Sequence, residues 1–246
     1  MLKIIKTLLL ALVVLLPTLA FSSEEMHLDK APINPDNQAS LQRGAKTFIN
    51  YCLNCHSANY MRYNRLMDIG LSEAQIKENL LFAADKVGST MTVALSKKDA
   101  KAWFGAAPPD LSVEARSRDA DWLYSYLRGF YRDDTRPTGW NNTVYDKVAM
   151  PHILWQLQGE QVLKVEEKLD AHGEKTEAHT LVLSKPGMLS PAEYDETIAD
   201  LVNYLVFMAE PTKSKRLHLG LIALLFLSLM FVVTYYLKKE FWKDIH

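Results

Sequence analysis

Hydrophobic residues recur through the middle of the chain at the three- and four-residue spacing of helices that bury one face. The first such stretch opens at Asp36 and Asn37, both good helix caps, and runs through Leu41, Gly44, Ala45, Phe48 and Cys52. A second is expected over Ser72–Ala84, with a serine cap and a glutamate in its first turn, and a third over Asp119–Phe130, rich in Trp122, Leu123, Tyr126 and Leu127. The fourth starts at Ser190 and Pro191 and carries Tyr194, Ile198, Leu201, Val202, Leu205 and Met208 until Pro211 ends it. Residues 161–183 differ: two short apolar runs flank a charged, glycine-containing middle, which predicts a small exposed hairpin. Ser22–Asn34 reads as an irregular lead. The expectation is a mainly α domain with long loops.

The two ends are patterned differently. Lys3 and Lys6 precede an uncharged run from Thr7 to Leu16, followed by Pro17 and a small-residue site ending at Ala20. This order predicts a secretory signal peptide over residues 1–20; the competing reading, an uncleaved anchor, calls for a longer apolar run. Leu217–Leu237 contains no Asp, Glu, Lys or Arg and has the length of a membrane-spanning helix, with Tyr235 and Tyr236 at its far end as interface anchors. Lysines and arginines flank both sides of that helix, so the leader sets the orientation. Residues 21–210 are expected in the periplasm, 217–237 in the inner membrane and 238–246 in the cytoplasm, a single-pass arrangement.

Composition adds that 48% hydrophobic and 23% charged residues suit one sizeable core, and no internal repeat or low-complexity tract divides the chain. The net charge of -1 hides an asymmetry: residues 21–210 hold 20 Lys plus Arg against 27 Asp plus Glu, a balance of -7. Such a domain would steer a basic soluble partner towards itself and disfavours nucleic acid, although solubility alone accounts equally well for the charge.

The chemistry lies in CLNCH, residues 52–56, which holds both cysteines of the chain. A CxxC followed at once by His is the pattern of covalent haem attachment: two thiols add to the porphyrin vinyl groups and the adjacent His56 reaches the iron. A redox CxxC would be expected ahead of a helix in an alternating strand and helix pattern, and zinc would need ligands that no second cysteine pair supplies. The sixth iron ligand is open on the residues alone. Met61, Met67 and Met208 sit in helical or near-motif contexts, Met26 lies in the lead, and Met91 has no distinguishing neighbour. Met150 precedes Pro151 and Met188 lies two residues after Pro186, both in extended loop, and His152 is a rival to Met150; the residues lean only slightly to Met150.

Five segments then carry a resemblance: CLNCHSANYMRYNRL (52–66), APPDLSVEAR (107–116), LRGFYRDDTRPTGWNN (127–142), VAMPHILWQLQG (148–159) and DLVNYLVFMAEP (200–211). In this order, with one C-terminal anchor, they resemble the cytochrome c1 family of bacterial bc1 complexes. The resemblance implies a class I cytochrome c-type haem domain with one covalent haem c, Cys52 and Cys55 as thioether sites, and His56 and Met150 as proximal and distal ligands. It further implies Arg116 as haem propionate partner, with Arg118 the alternative, and Pro108 and Pro109 as pocket wall. The helix before the motif would cross the final domain helix, Gly44 permitting close approach, with Phe48 beside it and Tyr204 and Leu205 facing them.

By the same resemblance, electrons would come from a Rieske iron–sulfur protein and leave to a soluble c-type cytochrome. The anchor would dock on cytochrome b in a dimeric complex. Two other readings stand beside it: a free-standing tethered cytochrome feeding a terminal oxidase, and a haem enzyme or gas sensor with an open sixth position.

Overall fold

The computed structural model describes residues 28–169 and 175–243, so the predicted signal peptide, Met26 and the end of the tail lie outside it. In chain order the helices are α1 (Gln38–Thr47), α2 (Glu73–Asn79), α3 (Lys97–Phe104), α4 (Glu114–Ser117), α5 (Ala120–Arg128), α6 (Trp155–Gln158), α7 (Pro191–Ala209) and α8 (Lys213–Phe241). The strands are β1 (Ala58–Arg62), β2 (Thr90–Met91), β3 (Phe130–Arg132), β4 (Trp140–Asn142), β5 (Gly159–Leu169) and β6 (Lys175–Pro186), paired antiparallel as β1–β2, β3–β4 and β5–β6.

The domain is organised by the crossing of α1 over α7. Asn37 caps α1 through its side chain, and Ser190 and Glu193 form a capping box on α7 with Pro191 at its first position. At the crossing, a Cβ on Gly44 would lie 2.0 Å from the Asp200 carbonyl oxygen and 2.7 Å from Tyr204 Cβ, so only glycine fits. Arg43 reaches over the contact to the carboxylate of Asp200 with two bonds of 2.5 and 3.0 Å. On the other side Asn203 donates to Ser40 Oγ at 2.9 Å and to the Asn34 carbonyl at 2.8 Å. Phe48 and Tyr204 pack with ring centroids 5.6 Å apart, both fully buried, and Leu205 is buried on the same helix.

The main core grows from this crossing and takes in Leu66, Ile76, Leu123, Leu127 and Ile198. A satellite cluster of Phe130, Trp140 and Val148 sits beside it, and Tyr126 touches both.

Three expectations are corrected. The helix expected over Ser72–Ala84 stops at Asn79: Ile76 is its one buried residue, and both Leu80 and Leu81 donate to the Ile76 carbonyl, closing the turn. The ribbons β1–β2 and β3–β4 were not anticipated, because strands of two to five residues leave too little alternation to read. The hairpin is longer than 161–183, reaching back to Gly159 and on to Pro186. Gly159 has φ +93°, and a Cβ there would lie 2.2 Å from the Lys185 carbonyl oxygen, so glycine sets the root of the hairpin.

The apolar run predicted at 217–237 lies within α8. Residues Lys215–Phe241 are long and apolar enough to cross a membrane, and none of this helix is covered by the domain. Only Glu210, Pro211 and Thr212 separate α7 from α8.

Gly44→Ala is expected to lower unfolding free energy by about 3 kcal/mol or more through steric overlap at the crossing. Gly88→Ala, with open space around its Cβ position, should stay close to wild type. Urea unfolding of the full chain in detergent, followed by circular dichroism, checks the contrast.

Candidate functional site

Helix α1 does not end before the cysteine motif but widens into a π turn over Phe48–Cys52. The backbone N–H groups of Cys55 and His56 both donate to the Cys52 carbonyl, at 3.1 and 2.8 Å, which gathers the two thiols and the imidazole into one turn fixed to the helix crossing. Both thiols are free. Burial pushes the Cys52 thiol up to about 12, with Cys55 adding to the effect, and burial also raises Cys55.

His56 is oriented by a second segment. Its Nδ1 lies 2.8 Å from the Pro109 carbonyl oxygen. A carbonyl can only accept, so Nδ1 carries the proton and Nε2 keeps its lone pair for a metal. Burial lowers the His56 pKa, partly opposed by that same carbonyl, which favours the neutral form a metal needs.

The loop holding Pro109 is clamped to the chain after the motif. Asp110 accepts from the Asn59 and Ser112 backbone N–H groups at 2.8 and 2.9 Å, Ser112 Oγ accepts from the Tyr60 N–H, and the Leu111 N–H donates to the Ser57 carbonyl. Pro108 is half-buried and Pro109 exposed.

Met150 comes from the loop after β4. Its neighbour Lys147 adopts φ +57°, stabilised by Asn141 Oδ1, which accepts the Lys147 N–H at 2.9 Å. The Met150 side chain is half-buried against the satellite cluster, and its sulfur accepts a hydrogen bond from the Tyr126 hydroxyl at 3.4 Å. Met188 is 78% exposed, while Met61, Met91 and Met208 are buried in the main core. His152 is buried rather than solvent-exposed: it is stacked on Phe130 at 4.8 Å and meets Trp140 edge-on, and burial, partly opposed by a side-chain hydrogen bond with Gln158, pushes its pKa down to about 4.

The two arginines are separated. Arg116 lines a cleft of about 250 Å³ with Ile33, Val206, Glu210 and Lys213, at the root of α8. Arg118 places its guanidinium 4.8 Å from the centre of the Trp122 ring and 6.0 Å from that of Tyr145, with Glu114 as its ion partner at 3.3 Å. Trp122 stacks on Tyr126 at 4.8 Å and 11°, so Arg118, Trp122, Tyr126 and Met150 are linked by contact and Arg116 faces elsewhere. Sequence reasoning missed Tyr126 as a site residue. Its spacing from Trp122 was legible, but as a core stripe.

These features suit a haem: a buried-sided turn with two free thiols, an imidazole with its outer nitrogen available, and a thioether on a constrained loop. Among the described residues no group of three or more His, Cys, Asp or Glu is arranged to hold a metal ion by itself.

The Cytochrome C1 family model matches residues 29–164 and 188–245. A cytochrome c1 from Allochromatium vinosum is 46% identical over 98% of this chain and 99% of its own length, and one from Rhodospirillum rubrum 30% identical over 85% and 83%. A Nitrosomonas europaea protein named ammonia monooxygenase gamma subunit is 52% identical over 99% of this chain and 100% of its own length. The chain belongs to the cytochrome c1 family, whose proteins bind a covalent c-type haem and serve electron transfer in a bc1 complex. The unmatched stretch, 165–187, falls within the β5–β6 hairpin and its exit.

Asp110→Ala would leave two backbone N–H groups without their carboxylate and loosen the loop that presents the Pro109 carbonyl. A loss of about 2 kcal/mol in unfolding free energy is expected with haem still attached. Chemical unfolding alongside a pyridine haemochrome assay measures both.

Proposed function

We propose that this chain is the electron exit of a membrane quinol-oxidising bc1 complex, carrying electrons from a Rieske iron–sulfur protein to a soluble c-type cytochrome. The observation that carries the reading is the 2.8 Å contact between His56 Nδ1 and the Pro109 carbonyl beside two free thiols in one turn. Cys52 and Cys55 would attach one haem c, and His56 and Met150 would hold its iron. When bound, the haem supplies one-electron redox chemistry. With both side chains holding the iron, no position would be left for a substrate, and a soft neutral thioether would favour the reduced state relative to a second imidazole.

For the propionate partner, Arg118 takes precedence over Arg116, because its contacts lead to Trp122, Tyr126 and Met150 whereas Arg116 faces the root of α8. An arginine fork bonds a carboxylate with two parallel hydrogen bonds. Pro108 and Pro109 form pocket wall in this reading, and Pro109 additionally orients His56. The leader would export residues 21–210 to the periplasm and be removed, α8 would dock on cytochrome b within a dimeric complex, and residues 238–246 would remain in the cytoplasm. The balance of -7 over residues 21–210 would steer a basic acceptor towards the domain.

A second reading comes from the name of the 52% identical Nitrosomonas europaea relative, which places that protein in ammonia monooxygenase. Extraction in mild detergent and mass spectrometry of every chain that stays bound separates the two. Recovery with cytochrome b and a Rieske protein supports the proposal; recovery with an ammonia-oxidising enzyme, with a terminal oxidase, or alone overturns it.

Met150→Ala is expected to lower the midpoint potential sharply and to let the reduced protein bind carbon monoxide, which redox titration and difference spectra measure. An unchanged potential removes Met150 from the ligand set. Carbon monoxide binding by the unaltered protein would favour a haem enzyme or gas sensor.

A further inference from the structure

Tyr126 is held more firmly than a helix surface residue needs to be. Its ring lies against Trp122, stacked at 4.8 Å, and against Phe130, edge-on at 5.1 Å and 66°. Its backbone carbonyl accepts from Asn142 Nδ2 at 2.7 Å, and Asn142 is buried. Two rings and a backbone anchor thus fix where the hydroxyl points, and it points at the Met150 sulfur, 3.4 Å away. A thioether has no proton to give, so the tyrosine is the donor. On the acceptor side, Met150 follows a loop braced by Asn141 and by Arg136, which donates to the Lys147 carbonyl at 3.1 Å.

We infer that Tyr126 is a positioning residue of the redox centre: its hydroxyl donates to the Met150 sulfur, orienting the thioether and withdrawing electron density from it. This rests on the reading of Met150 as axial ligand. A thioether sulfur has two lone pairs, so accepting from the hydroxyl leaves one for iron. Withdrawing density makes the sulfur a weaker donor. The ferric state depends more on that donation than the ferrous state, so the hydrogen bond favours reduction and holds the potential up.

Tyr126→Phe keeps the ring and its stacking and removes only the donor. In the haem-loaded full chain, the reduced-to-oxidised ratio at a fixed ambient potential is expected to fall roughly three- to tenfold, the range of one hydrogen bond. The charge-transfer band of the ferric haem–thioether bond should remain but shift. Replacing Tyr126 by 3-fluorotyrosine, a stronger donor, should move the ratio the opposite way, and this second variant stays informative if the phenylalanine protein loads haem poorly. An unchanged ratio and band in both variants overturns the inference. Met150→Ala separates the two levels: if it leaves the band and the potential intact, the ligand assignment has failed. If it abolishes the band while the Tyr126 variants change nothing, only the role of Tyr126 has failed.

Discussion

Because Gly44 has no side chain, α1 approaches α7 until its backbone rests against the Asp200 carbonyl and Tyr204, and the position of the cysteine-motif turn follows from that contact. The π turn at Phe48–Cys52 continues α1 directly, so the angle at which α1 crosses α7 sets where both thiols and His56 are presented. Arg43 and Asp200 fasten the crossing on one side, and Asn203 with Ser40 on the other. Asp200 is buried while Arg43 is half-exposed. The pair therefore satisfies a carboxylate that the close approach has taken out of water, and loss of the arginine would leave that charge uncompensated. The fastening serves specificity of the crossing as well as stability.

The other half of the site is assembled from loops, and the same principle of donor and acceptor accounting governs it. The Pro109 carbonyl takes the proton of His56 Nδ1, and the carboxylate of the next residue, Asp110, takes up the backbone N–H groups of Asn59 and Ser112. On the Met150 side, Asn141 and Asn142 organise a loop with no regular structure through their side chains: Asn142 Oδ1 accepts from Val144 and Tyr145, and Asn141 Oδ1 from Asn142 and Lys147.

Much of the fold could be read from the chain because its strongest signals are local. The caps at Asn37 and Ser190, the stop at Pro211 and the apolar run of α8 each depend on neighbours within a turn or two, and each lies where expected. The role of Gly44 was legible only through the family resemblance. What could not be read is what depends on distant partners. Nothing near Arg116 or Arg118 in sequence says which faces Trp122. Nothing near Tyr126 says that its hydroxyl meets a methionine sulfur, since a ring at helical spacing looks the same whether it fills core or touches a ligand. The short ribbons fail for the same reason: β3 pairs with β4 across a seven-residue connection, and three residues of strand carry no period. The hairpin was recognised by its composition, but its length depends on Gly159 meeting the Lys185 carbonyl.

The joint between α7 and α8 consists of Glu210, Pro211 and Thr212, with the Lys213 N–H donating to the Glu210 carbonyl and the Glu210 side chain paired with Arg216 across it. A connection so short and so bonded transmits torque rather than absorbing it, so the domain is less a float on a tether than a post set in a floor. With α8 in a bilayer, as proposed, the cysteine-motif turn would be held at a set height above it. Any shuttling over distance then belongs to the molecules that come to it, and the rate of relay depends on how often they arrive.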